Sequence, residues 1–71
     1  MIVSKFQRQT DGSILIIRET KAGNYIGEVY PYNDNKNWWM KATFKAKDGD
    51  ASEYRVKEYF GFTNENSKQL K

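Results

Sequence analysis

Asp50-Ala51-Ser52-Glu53-Tyr54-Arg55-Val56-Lys57-Glu58-Tyr59-Phe60-Gly61-Phe62 is the stretch on which the architecture turns. As a strand, Tyr54, Val56, Phe60 and Phe62 share a face interrupted by Glu58, and Asp48-Gly49 closes a hairpin in front of it. As a helix, Asp50 caps, Glu53 is its capping-box partner, Val56, Tyr59 and Phe60 form an i, i+3, i+4 stripe, and Gly61 terminates. The aromatic and β-branched content of Tyr54 to Phe62 favours the strand. The strand makes the chain all-β; a short C-terminal helix at about 51–60 makes it α+β.

Everything upstream reads as strands and turns. Ile2 to Gln7 alternates, with Ile2, Ser4 and Phe6 on one face, and Thr10-Asp11-Gly12-Ser13 supplies a tight turn. Ser13 to Glu19 places Ile14 and Ile16 opposite Leu15 and Ile17, the pattern of a central strand covered on both sides. After a turn at Thr20 to Asn24, a third strand runs from Tyr25 to Tyr30. Pro31, which has no N–H to give a ladder, ends it. A polar loop, Asn33 to Asn37, leads to Trp38 to Lys47. There Trp38, Met40, Ala42, Phe44 and Ala46 line an expected core face and Trp39, Lys41, Thr43, Lys45 and Lys47 a wet one. The pattern predicts a small antiparallel meander of four to five strands over residues 1–63, closed as an SH3-like or OB-like barrel or left as a twisted open sheet. Residues 64–71 read as a polar, frayed tail.

Composition bounds the chemistry. The 71 residues contain no His and no Cys, so the common imidazole and thiolate nucleophiles, bases and zinc ligands are unavailable. Asp48, Asp50 and Glu53 lack the spacing of a calcium loop, and no phosphate-cradling glycine loop occurs. Neither catalysis, a cofactor nor a metal is expected. The longest aliphatic run, Ile14 to Ile17, is far below the roughly 20 residues of a spanning helix. The start, Met1-Ile2-Val3-Ser4-Lys5, lacks the features of a secretory signal. A cytoplasmic protein without membrane partners is the expectation.

What remains is binding. The net charge is +3, from 12 Lys and Arg against 9 Asp and Glu, and it is unevenly spread: Lys36, Lys41, Lys45 and Lys47 carry a stretch from 36 to 47 that has no acid. An aromatic ring among lysines suits nucleic acid, single-stranded or structured, because bases stack on the ring while ammonium groups neutralise phosphates. The expected nucleic-acid-binding set is Trp39, Lys41, Lys45 and Lys47, extended by Arg55, Lys57 and Tyr59 if the last strand neighbours the fourth. Phe60-Gly61-Phe62 has a passing likeness to the base-stacking strand of RRM and cold-shock domains. Tyr59 stands where their motif has glycine and Glu58 where a phosphate would lie, so no family follows from it. A hydrophobic strand with a glycine bend accounts for the same residues.

The alternative is a larger protein target, occluded by a small inhibitor or adaptor of the type encoded by phages and mobile elements. Tyr25, Tyr30, Tyr32, Trp38 and Trp39 would then be its anchors, since rigid aromatic side chains dominate such contacts. Homodimerisation through a sheet edge is compatible with either reading.

Overall fold

A computed structural model describes residues 1–34 and 36–70; Asn35 of the expected polar loop and Lys71 of the expected tail lie outside the described residues. Strands β1 (Ile2–Arg8), β2 (Ile14–Glu19), β3 (Tyr25–Tyr30) and β4 (Met40–Phe44) form the meander, followed by a 3-10 turn at Ala46–Asp48, helix α1 (Glu53–Phe60) and a last strand, β5 (Ser67–Leu70). All neighbours are antiparallel in the order β4-β3-β2-β1-β5. The sheet is open: β4 and β5 are its edges, and no barrel closes. As the alternation of apolar residues requires, β2 is central.

Residues 53–60 are helical, which settles the divided stretch in favour of α1. Its cap is Ser52 rather than Asp50: the Ser52 hydroxyl accepts from the Arg55 N–H at 3.1 Å. Glu53 therefore opens the first turn, where its charge complements the helix dipole, and forms no capping box. At the other end Gly61 takes the left-handed conformation (φ 77°), and the Phe62 N–H returns to the Lys57 carbonyl at 2.8 Å. Phe60-Gly61-Phe62 is thus a helix stop, and the likeness to a base-stacking strand disappears with it. Replacing Ser52 by alanine leaves the Arg55 N–H without this acceptor and is expected to cost about 1 kcal/mol. A fall in the urea midpoint at unchanged m would show it.

The helix lies across β2 and β3. Beneath it Phe6, Leu15, Ile17, Val29, Val56, Phe60 and Phe62 make the core, with Tyr25, Ala42 and Phe44 packed against its margin. By register, Phe6 pairs with Leu15, Leu15 with Val29 and Ile17 with Gly27, so one face of three adjacent strands supplies the whole floor. At Gly27 the helix comes so close that an added Cβ would lie 2.5 Å from Phe60 Cε2 and 2.6 Å from Val56 Cγ1. Only glycine leaves room there. Only one side of β2 is covered by this chain: Leu15 and Ile17 are fully buried, while Ile14 and Ile16, on the other side, are half-buried.

The segment expected to fray supplies β5, paired with β1 from Lys5↔Leu70 to Arg8↔Ser67. The reason is that strand pairing needs backbone groups and a free edge, not an apolar sequence. Asn66 and Thr63 set the approach by exchanging bonds, Thr63 N–H to Asn66 Oδ1 (2.8 Å) and Asn66 N–H to Thr63 Oγ1 (3.1 Å).

Candidate nucleic-acid interface on the helix-free face

Alternation and register assign the side of the sheet away from α1. Lys5, Ile16, Glu28 and Lys41 form one cross-strand row, joined by Leu70 beyond Lys5. Gln7, Ile14 and Tyr30 form a second, with Lys68 beside Gln7, and Arg18, Ile26 and Thr43 a third. Within the strands Glu28 is the one acid on this side. It is matched, because Arg18 Nε donates to Glu28 Oε1 at 2.7 Å. That bond, with a smaller contribution from the Tyr30 hydroxyl, holds the Arg18 guanidinium above its already high pKa. Lys5, Lys41 and Lys68 remain as cations around an apolar centre of Ile14, Ile16, Ile26 and Leu70.

The tryptophans arrive through an irregularity that alternation alone does not reveal. Val29 pairs with Met40, yet the Trp39 N–H also donates to the Val29 carbonyl, at 3.0 Å. Two residues oppose one, which is a bulge, and it places Trp39 on the same side as Met40. Trp38 consequently falls in step with Lys41, whose Nζ lies 5.6 Å from the Trp38 ring centroid, a cation–π distance. The aromatic partner of Lys41 is therefore Trp38, expected in the core, and not Trp39, expected on the wet face. Both rings are open to solvent, Trp38 at 48% and Trp39 at 57%.

The rest of the expected binding set divides. Lys45 continues the extended backbone past β4 and keeps the Lys41 side, while Lys47 lies in the 3-10 turn. Arg55, Lys57 and Tyr59 belong to α1 on the opposite side of the sheet, because the segment expected to be a neighbouring strand is a helix. Arg55 is within 4.0 Å of Glu58. Lys57 sits 4.2 Å over the Phe6 ring and donates to Asn64 Oδ1 at 3.0 Å. Tyr59 meets Phe44 edge-on at 5.3 Å. Glu58 also holds the exposed Tyr54 phenol above its usual pKa, chiefly by a hydrogen bond.

The expected protein-binding rim separates as well. Tyr25 packs at the core margin, and Tyr30 is buried against the helix-free side. Tyr32 is exposed and leans on the β1–β2 turn at Gly12. Just beyond it, Asp34 accepts from the Lys36 and Asn37 backbones, which lowers its pKa. Lys5, Lys68 and Arg18 belong to neither expected set, and Tyr30 belongs to the protein-binding one alone. Two features of the sequence point to this face, the apolar second side of β2 and the alternation that sets Lys41, Thr43 and Lys45 together.

No family model, curated protein or solved structure matches the chain. Among the described residues, no helix is long and apolar enough to cross a membrane.

Proposed function

We propose that the protein is a non-catalytic module that binds single-stranded nucleic acid on the helix-free face of its sheet. The observation that carries this reading is the convergence on one side of Trp38, Lys41, Lys5 and Lys68, where the single acid within the strands is already paired to Arg18. Bases would stack on the Trp38 ring and lie over the isoleucines, while the surrounding ammonium groups neutralise phosphates. The solvent-facing side of an open sheet suits an extended strand better than a small molecule, which requires a concave pocket.

Fluorescence anisotropy with labelled DNA and RNA oligonucleotides tests it. If three or four phosphates are neutralised, log K falls with log salt at a slope of about −2 to −3. Trp38→Ala is expected to weaken binding by about 1–3 kcal/mol, and Trp39→Ala by much less. Binding that ignores salt and survives Trp38→Ala would overturn the proposal.

The reading as an inhibitor or adaptor of a larger protein is favoured by a different observation, the exposure of Trp39 and Met40 at the start of β4 and of Tyr32 beside the β1–β2 turn. Its mark would be salt-insensitive binding lost with Trp39→Ala.

A further inference from the structure

The outer edge of β4 carries backbone groups with a definite phase. Thr20 N–H donates to Asn24 O at 2.8 Å, so in the β2–β3 ladder the even-numbered residues of β3 bond to β2 and the odd-numbered ones turn to β4. By register their partners Met40, Ala42 and Phe44 point inward. The N–H and C=O groups of Lys41 and Thr43 are left facing outward. Beside this edge runs a groove of about 340 Å³ lined by Thr43, Phe44, Asp50, Arg55, Glu58 and Tyr59. At the other end of the same strand the bulge holds Trp39 and Met40 out into solvent together.

We propose that this edge takes a second copy of the chain, β4 against β4 in antiparallel register about a two-fold axis at Ala42. A two-fold interface must be self-complementary, and this edge is. Knob and groove lie at opposite ends of one strand, so the axis sets Met40 opposite Phe44 of the partner subunit. Trp39 and Met40 of each copy then enter the other's groove against Phe44 and Tyr59. Charge selects the register. Centred on Ala42, Lys41 faces Thr43 of the partner subunit, and these outward-facing pairs exchange four backbone bonds across the seam. Centred on Lys41 the two lysines oppose each other, and centred on Thr43 each Lys41 opposes a Lys45; like charges directly opposed are destabilising.

The result is a continuous ten-stranded sheet with both helices on one side. The partner copy then contributes to the nucleic-acid surface, whose Trp38, Lys41 and Lys45 become contiguous across the seam. This part of the inference rests on the proposed function; the dimer itself does not.

Sedimentation equilibrium of the protein without nucleic acid tests the assembly. The expected mass is twice the 8.4 kDa of one chain. Thr43→Pro, which deletes an outward N–H while leaving the β3 ladder intact, and Met40→Lys, which charges the knob, are each expected to return it to one chain. Since the chain has no cysteine, single-cysteine variants read the register. Ala42→Cys faces itself at a non-hydrogen-bonded pair, with Cα atoms about 4.5 Å apart, and should oxidise to a disulfide dimer, whereas Lys41→Cys should not self-couple. A wild-type mass of one chain at millimolar concentration overturns the proposal, as does Lys41→Cys coupling in preference to Ala42→Cys. The two readings fail separately: a dimer that ignores oligonucleotides refutes only the function, and a monomer that binds them refutes only the dimer.

Discussion

Replacing Gly27 with alanine is expected to cost about 1–3 kcal/mol of folding stability, the range for forcing one extra carbon into a packed core. Alanine is ordinarily the better residue in a strand by roughly 0.5–1 kcal/mol, so the sign of the effect isolates the steric contact. The clash is with two side chains of the same helix, Phe60 Cε2 at 2.5 Å and Val56 Cγ1 at 2.6 Å. Both residues are buried and wedged among Leu15, Ile17 and Val29, so neither can swing aside without opening the core. Relief requires α1 to lift from the sheet. Val56→Ala in the same molecule removes one of the two opposing atoms. The double variant is therefore expected to be less destabilised than the two single changes added, by at least about 0.5 kcal/mol. Urea titration of the four proteins closes the cycle, and simple additivity would show that the close approach of helix and β3 is not what Gly27 serves.

Gly27 also marks where the sequence could be read and where it could not. The first three strands, their turns and the central place of β2 follow from alternation and turn residues, because those rules are local. The helix was harder because the aromatic residues that argue for a strand do not all belong to the core. Tyr54 and Tyr59 are 70% and 67% exposed, and the buried stripe of α1 is only Val56 and Phe60. Propensity counts an aromatic equally whether it faces solvent or the sheet. The decisive local signal was Ser52, whose hydroxyl caps the helix, with Gly61 at the other end. A glycine at the centre of β3, with no turn to need it, pointed the same way: something large had to approach that face.

The candidate interface was legible as a neighbourhood but not as a set of atoms. Lys41 and Lys45 share one side of the sheet with Trp38, while Trp39 lies on the Met40 side and Lys47 in the 3-10 turn. One bulge hydrogen bond, Trp39 N–H to Val29 O, exchanges the roles of the two rings. Nothing in Asn37-Trp38-Trp39-Met40 announces it, since a bulge is fixed by how two strands meet and not by the residues of one. Lys5 and Lys68 were invisible for a related reason. They reach the surface only because β1 and β5 continue the sheet beyond β2, and β5 is recruited by the free edge of β1, not by its own sequence.

Phe62→Ala is expected to have the largest effect of any single change, about 3–5 kcal/mol. A domain of this length has a total stability of roughly 4–10 kcal/mol, so the variant should be substantially unfolded at 37 °C. Three features converge on this ring. It is almost completely buried in the core; it follows directly on the helix stop, held by the 2.8 Å bond from its N–H to Lys57 O; and Arg8 lies over it with Cζ 4.7 Å from the centroid. Arg8 in turn donates to Phe60 O at 3.1 Å and forms an ion pair with Asp11 at 2.9 Å, an arrangement that, with the Ser13 N–H, holds the Asp11 carboxyl well below the usual carboxylate range. Removing the ring therefore leaves a cavity and also takes the floor from beneath the guanidinium that ties β1 to the end of α1. Phe62→Leu fills most of the volume while losing the cation–π contact, and is expected to cost clearly less than Phe62→Ala. Thermal melts and urea midpoints on both variants separate cavity from contact. Near-equal losses would assign the effect to the Arg8 stack, whereas a small loss in both would show that Phe62 is not a core residue.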